Sequence, residues 1–112
     1  MLIGREPSTP TKLAFFIKAS NTTILFDTSS VITSGFVKMA LAYSSGDYAA
    51  YLNGSLVASG STSFSFDSAL ANIAIGPNSG NHISTNSTSN TKQAVVFTTR
   101  LTNSELASLT TI

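Results

Sequence analysis

Asn53-Gly54 constrains this chain more than any other pair of residues. It separates two short apolar-patterned segments, Tyr48 to Leu52 and Ser55 to Ser59. A two-residue hairpin needs positive φ at both central positions to match the twist of its strands, and Asn-Gly meets that need at little steric cost. Upstream, Phe36 to Tyr43 alternates. Val37, Met39, Leu41 and Tyr43 fall on one face, and Phe36, Lys38, Ala40 and Ala42 on the other. Ser44 to Asp47 supplies a turn, so three consecutive antiparallel strands are expected at 36–43, 47–52 and 55–59.

The same logic extends outward. Lys12 to Ala19 and Thr23 to Asp27 form a second hairpin about Asn21 and Thr22, and residues 28–35 connect it to the first. Residues 60–69 are a Ser-rich connection in which Phe64 and Phe66 alternate inward. Leu70 to Gly76 is a strand closed by Gly76-Pro77, residues 77–91 a long polar loop, and Lys92 to Thr99 the last strand. Thr102-Asn-Ser-Glu105 is a capping box that starts a short helix, with Leu106 and Leu109 as its apolar edge. Residues 1–11 are polar, carry Pro7 and Pro10, and read as an arm ahead of one domain at 12–112. The expected fold is all-β: an antiparallel β-sandwich of jelly-roll type with a short C-terminal helix.

Composition narrows the function classes. The chain has 112 residues, enough for one domain with a real core, and is 42% hydrophobic. Charged residues make up only 10%, against roughly 25% in soluble proteins generally. Ser, Thr and Asn fill the gap with 42 residues between them, which suits a β-rich viral or extracellular surface. Net charge is +1, and Arg5, Lys12, Lys18, Lys38, Lys92 and Arg100 are scattered, so no basic patch offers itself to nucleic acid. There is no cysteine, hence no disulfide or thiolate chemistry. Met1 to Pro10 lacks the pattern of a signal peptide and no stretch reaches the length of a membrane span, so neither export by its own signal nor membrane insertion is expected.

Taken in order, FVKMALAYSSGDYAAYLNGSLVASGS, LANIAIG and KQAVVFTTRLTNSELASLT resemble the concanavalin A-like, laminin-G-type jelly roll found in tailed-phage fibres and related virion proteins. The matching positions are Lys38 to Tyr43, Asp47 to Gly54 and Ala94 to Thr110, and the likeness spans about residues 12–110. It implies a non-enzymatic virion structural protein exposed on a tail fibre or capsid surface. Such a protein would work by assembling with other virion subunits as a homo-oligomer, a trimer being favoured, with host-surface glycan as a candidate ligand. The alternative is a cellular lectin-like carbohydrate-binding module; a glycanase-type enzyme fragment is a weaker third class. Domains of this family carry further strands ahead of the matching segment. One sheet is therefore expected to lack an edge partner, to be covered by a neighbouring subunit or by a swapped 1–11 arm.

Candidate chemistry is sparse. His82 is the only histidine, lies in the polar loop, and has no serine elbow to serve. Among the acids, Asp47 is expected to stabilise its turn, Glu105 belongs to the cap and Glu6 to the arm. Asp27 and Asp67 each end a strand and nothing in the sequence sets the two beside each other, so the two flanking carboxyls of a glycosidase are not found and no catalytic residue is expected. Calcium, which laminin-G-type domains often hold, wants six to eight oxygens, and no DxDxDG-like cluster occurs; no metal or cofactor is expected. Tyr43, Tyr48 and Tyr51 could stack on sugars, but Tyr48 and Tyr51 point to opposite faces and core packing is the expected role of most. The densest set of amide groups is Asn78, Asn81, His82, Asn86 and Asn90 in the 77–91 loop, the candidate ligand contacts. Sequons at Asn21, Asn53 and Asn86 are what chance supplies in such a composition.

Overall fold

The structure, a computed structural model, describes residues 2–5, 12–28, 35–67 and 92–112. The expected strand at 70–76 and the loop at 77–91 lie outside them. The described residues are mostly β, with two antiparallel three-stranded sheets and one helix. The first sheet joins β1 (Leu2–Arg5), β2 (Leu13–Ala19) and β3 (Thr22–Asp27) in that order. The second joins β4 (Met39–Ser44), β5 (Asp47–Leu52) and β6 (Ser55–Gly60), and α1 spans Asn103–Thr110.

In the second sheet the Asn-Gly pair closes the β5–β6 hairpin as its chemistry requires, with φ of 49° at Asn53 and 84° at Gly54. Leu52 faces Ser55 directly across it. The turn also reaches sideways: Asn53 N–H donates to the Lys38 carbonyl at 2.9 Å, and Lys38 N–H donates to Asn53 Oδ1 at 2.9 Å. Residues 36–38, expected to open the strand, therefore run ahead of the ladder, which begins at Met39. Gly54 N–H in turn donates to Thr110 Oγ1 at 3.1 Å, and that hydroxyl donates to the Leu106 carbonyl at 2.7 Å. Thr110 is 1% exposed, so its hydroxyl is itself out of reach of water and finds both of its partners within the protein.

Register assigns the two faces of this sheet. Ala40 pairs with Tyr51 and Ala42 with Ala49 on one face; Met39–Leu52, Leu41–Ala50 and Tyr43–Tyr48 share the other. The first face packs on α1: Ala40, Ala42, Ala49, Tyr51 and Leu106 form one buried cluster, flanked by Leu101 and Ala107. Three alanines keep that face low, so the helix can approach and Leu106 can fill the space beside Tyr51. On the other face Phe66 stands edge-on to Tyr43 at 5.8 Å, Phe64 lies against Tyr48 at 6.2 Å, and the two phenylalanines touch at 5.5 Å. The inward alternation of Phe64 and Phe66 is thus observed. Tyr48 and Tyr51 do point to opposite faces, yet both are buried, because β5 is covered on both sides.

The first sheet reaches the second on this aromatic side. Tyr48 Oη donates to the Ile24 carbonyl at 3.4 Å, and Ser20 Oγ lies 2.7 Å from Asp67 Oδ1 and 3.0 Å from the Ser65 carbonyl. Within it, Leu13, Phe15, Ile17 and Ala19 share one fully buried face of β2. Each of the three large side chains is worth roughly 1.5–3 kcal/mol on burial. The β2–β3 turn sits at Ser20-Asn21, both at positive φ, one residue earlier than composition suggests. Leu2–Arg5, which composition assigns to an irregular arm, is a strand paired with β2 of the same chain. Its run of apolar residues is too short to announce a strand, and pairing with β2 supplies what local pattern does not.

The expected last strand at Lys92–Thr99 is corrected: among the described residues it pairs with no other strand. Its composition favours extended backbone, but a strand also needs a partner's free edge alongside, which periodicity does not report. The capping box forms as expected. Thr102 N–H donates to Glu105 Oε2 at 2.7 Å, and Glu105 N–H donates to Thr102 Oγ1 at 3.3 Å. Leu106 is buried, whereas Leu109 is 45% exposed, so only half of the expected apolar edge packs inward.

Two substitutions test this framework. A Cβ on Gly60 would overlap Tyr48 Oη and the adjoining edge of its ring. Gly60→Ala should therefore cost about 1–3 kcal/mol in urea unfolding. That cost should largely vanish in a Tyr48→Ala background, a coupling an additive pair would not show. Thr110→Val keeps the shape but strands the Gly54 N–H and should cost about 1–3 kcal/mol, while Thr110→Ser should cost clearly less. Equal losses for the two would mean that the methyl, not the hydroxyl, matters.

Candidate functional site

The expected contacts Asn78, Asn81, His82, Asn86 and Asn90 lie outside the described residues. Within them, chemistry gathers where the second sheet meets the start of α1. Asp47 opens β5; Ser59 and Gly60 end β6, with Ser61 following; Arg100 and Asn103 flank the first turn of the helix. Together with Tyr48 and Ala49 they line an open, mainly polar cleft of about 340 Å³.

Arg100 organises it. Its Nη2 donates to Asp47 Oδ1 at 2.9 Å and to Asn103 Oδ1 at 3.1 Å, and its Nη1 donates to the Leu101 carbonyl. The Arg100 side chain is only 15% exposed, and its buried Nε has no partner among the described residues. The Asp47 side chain, 61% exposed, faces solvent. An ion pair with so wet a partner adds at most about 1 kcal/mol to stability. Its effect is orientation, holding a carboxylate and an amide side by side. Asp47, expected to stabilise its turn, takes part in it through its backbone carbonyl, which accepts from Ser44 Oγ at 3.3 Å, while its carboxylate is committed to Arg100. The Arg100–Asp47 pairing crosses 53 residues, so no local spacing could have announced it.

A second feature lies on the helix itself. Phe97, Leu101 and Leu109, with Ser104, Glu105 and Ser108, line a shallow apolar groove. Val95, Val96 and Phe97 stand 55%, 64% and 47% exposed beside it. Lys92 Nζ sits 4.6 Å over the Phe36 ring, holding the start of this segment against residues that precede β4.

Tyr43 is half-buried against Phe66, and Tyr48 and Tyr51 are buried, so none offers an open ring face of the kind a sugar stacks on. Among the described residues no three His, Cys, Asp or Glu side chains converge, and no helix is long and apolar enough to cross a membrane. No family model matches the chain, and neither a curated protein nor a solved structure matches it.

Electrostatics single out the cap. The backbone and hydroxyl of Thr102 both donate to Glu105, which holds its carboxyl below the usual glutamate range. A carboxyl lowered in the folded state stabilises fully above its unfolded pKa and loses that contribution as pH falls through the folded value. Glu105→Gln keeps an acceptor oxygen but no charge. Its melting temperature should lie below wild type at pH 7, and the gap should close as pH falls below about 4.3. A gap that stays constant down to pH 3 would exclude the ionised cap as its source.

Proposed function

We propose that this chain is a non-enzymatic surface module of a tailed-phage virion, a laminin-G-like jelly roll whose two sheets form a β-sandwich. It assembles with copies of itself, as a trimer, and recognises host-surface glycan. The observation that carries the assembly half is the exposed row Val95, Val96 and Phe97 beside Leu109. An extended apolar segment without a ladder partner among the described residues is a liability in a monomer and a ready surface for another chain. A second copy suits it as occupant because a net charge of +1 sets little repulsion between identical subunits. The polar cleft at Asp47 supports the recognition half. It is also the feature that favours the rival reading, a lectin-like module that works as a monomer.

Light scattering on the purified chain separates the two. The assembly reading expects a trimeric mass, and Val96→Asp should return it to monomer with an unchanged far-ultraviolet circular dichroism spectrum. A wild type that stays monomeric at its highest soluble concentration rules assembly out.

A further inference from the structure

The Asp47–Asn103 cleft has the charge balance and hydrogen-bond order of a site for one kind of ligand. Asp47 Oδ1 and Asn103 Oδ1 each accept from the same Arg100 nitrogen, which places those two oxygens no more than about 6 Å apart. What remains is Oδ2 of Asp47, an acceptor, and the Nδ2 amide of Asn103, a donor, both on exposed residues. Neither has a further partner among the described residues. The exposed hydroxyls of Ser59 and Ser61 line the same cleft and can donate or accept.

Charge excludes two ligand classes. An anion would meet the Asp47 carboxylate, while the one strong cation among the described residues of the cleft, Arg100, is mostly buried and already donates to three oxygens. A metal cation would find one carboxylate with a guanidinium 2.9 Å away. A neutral ligand rich in hydroxyls meets neither obstacle. A pair of neighbouring hydroxyls can donate to Asp47 Oδ2 and accept from Asn103 Nδ2 at once, and about 340 Å³ is at the small end of ligand pockets.

The geometry points to a pyranose-diol site in this cleft, with Asp47 and Asn103 as the ligand contacts and Arg100 as the residue that positions them. This rests on the glycan-recognition half of the function proposed above. It moves the contact away from the 77–91 loop and onto the rim formed by the second sheet and α1.

The test uses the full chain, labelled with ¹⁵N and titrated with methyl α-mannoside, methyl β-galactoside and N-acetylglucosamine. At least one should give saturable shifts at the amides of Asp47, Gly60, Ser61 and Asn103. Asp47→Asn turns the acceptor into a donor, and Asn103→Asp does the reverse, with no change of shape. Each single variant should weaken binding by about tenfold or more, the effect of losing one well-made contact. The double variant restores one donor and one acceptor and should recover much of the affinity. Saturable sugar shifts confined to residues 77–91 and unmoved by these variants overturn the site while leaving glycan recognition standing. No shift with any sugar overturns both, and cleft shifts with inorganic phosphate or calcium chloride in place of the sugars overturn the neutral-ligand assignment.

Discussion

The hydrogen bonds that radiate from Asn53-Gly54 hold the second half of this molecule in place. On one side Asn53 exchanges backbone and side-chain bonds with Lys38, fixing where β4 enters the sheet. On the other, Gly54 N–H binds the buried hydroxyl of Thr110 and so ties the last turn of α1 to the hairpin. Gly54 is required by its positive φ, and a Cβ there would also crowd Thr111 Oγ1 at 3.1 Å. Lys38 closes the circuit by donating its ammonium to the Thr111 carbonyl at 2.9 Å. The last turn of α1 has no basic residue of its own, so this cation from just ahead of β4 complements its negative end.

Fixing the helix at its C-terminal end also fixes what its other end presents. The capping box sets the first turn, Leu106 seats it on the alanine face of the sheet, and Arg100 comes to lie against Asp47 at the start of β5. The polar cleft is thus a consequence of two clamps on an eight-residue helix, one at each terminus. Neither clamp contributes much energy alone. Together they remove the freedom that would let Arg100 leave its partners.

The features legible in the sequence were those whose physics is complete within a few residues. Asn-Gly needs only its own backbone conformation, and Thr102 with Glu105 need only one turn of helix. Tyr48 and Tyr51 show the limit: their opposite directions follow from strand period, but the burial of both follows from α1 on one side and Phe64 on the other, far away in the chain. β1 was missed and Lys92–Thr99 expected to be a strand for one shared reason. Whether an extended segment joins a sheet depends on a free edge beside it, and the fold rather than the segment supplies that edge. The cleft was illegible because Asp47 looks like a turn residue beside Gly46, and only the fold brings Arg100 to it.

Scarcity of charge gives the Arg100–Asp47 pair a meaning it would lack elsewhere. On a surface of ordinary composition one half-wet ion pair is background. Here there are six basic and five acidic side chains in the whole chain, and several are spent on structure. Lys38 holds a helix end, Lys92 sits over a phenylalanine ring, and Glu105 closes a cap. Arg100 is committed to Asp47, Asn103 and the Leu101 carbonyl, yet it also buries an Nε with no partner among the described residues. That orphaned group costs stability, of the order of 1–3 kcal/mol for a buried unsatisfied donor. A hydrophobic residue at this position would seal the helix against the sheet without that cost. It would not hold a carboxylate and an amide side by side, with one acceptor and one donor turned outward. The stability forgone at Nε and the order gained at Asp47 and Asn103 belong to the same side chain, which is the pattern expected where a fold gives up stability to organise a surface.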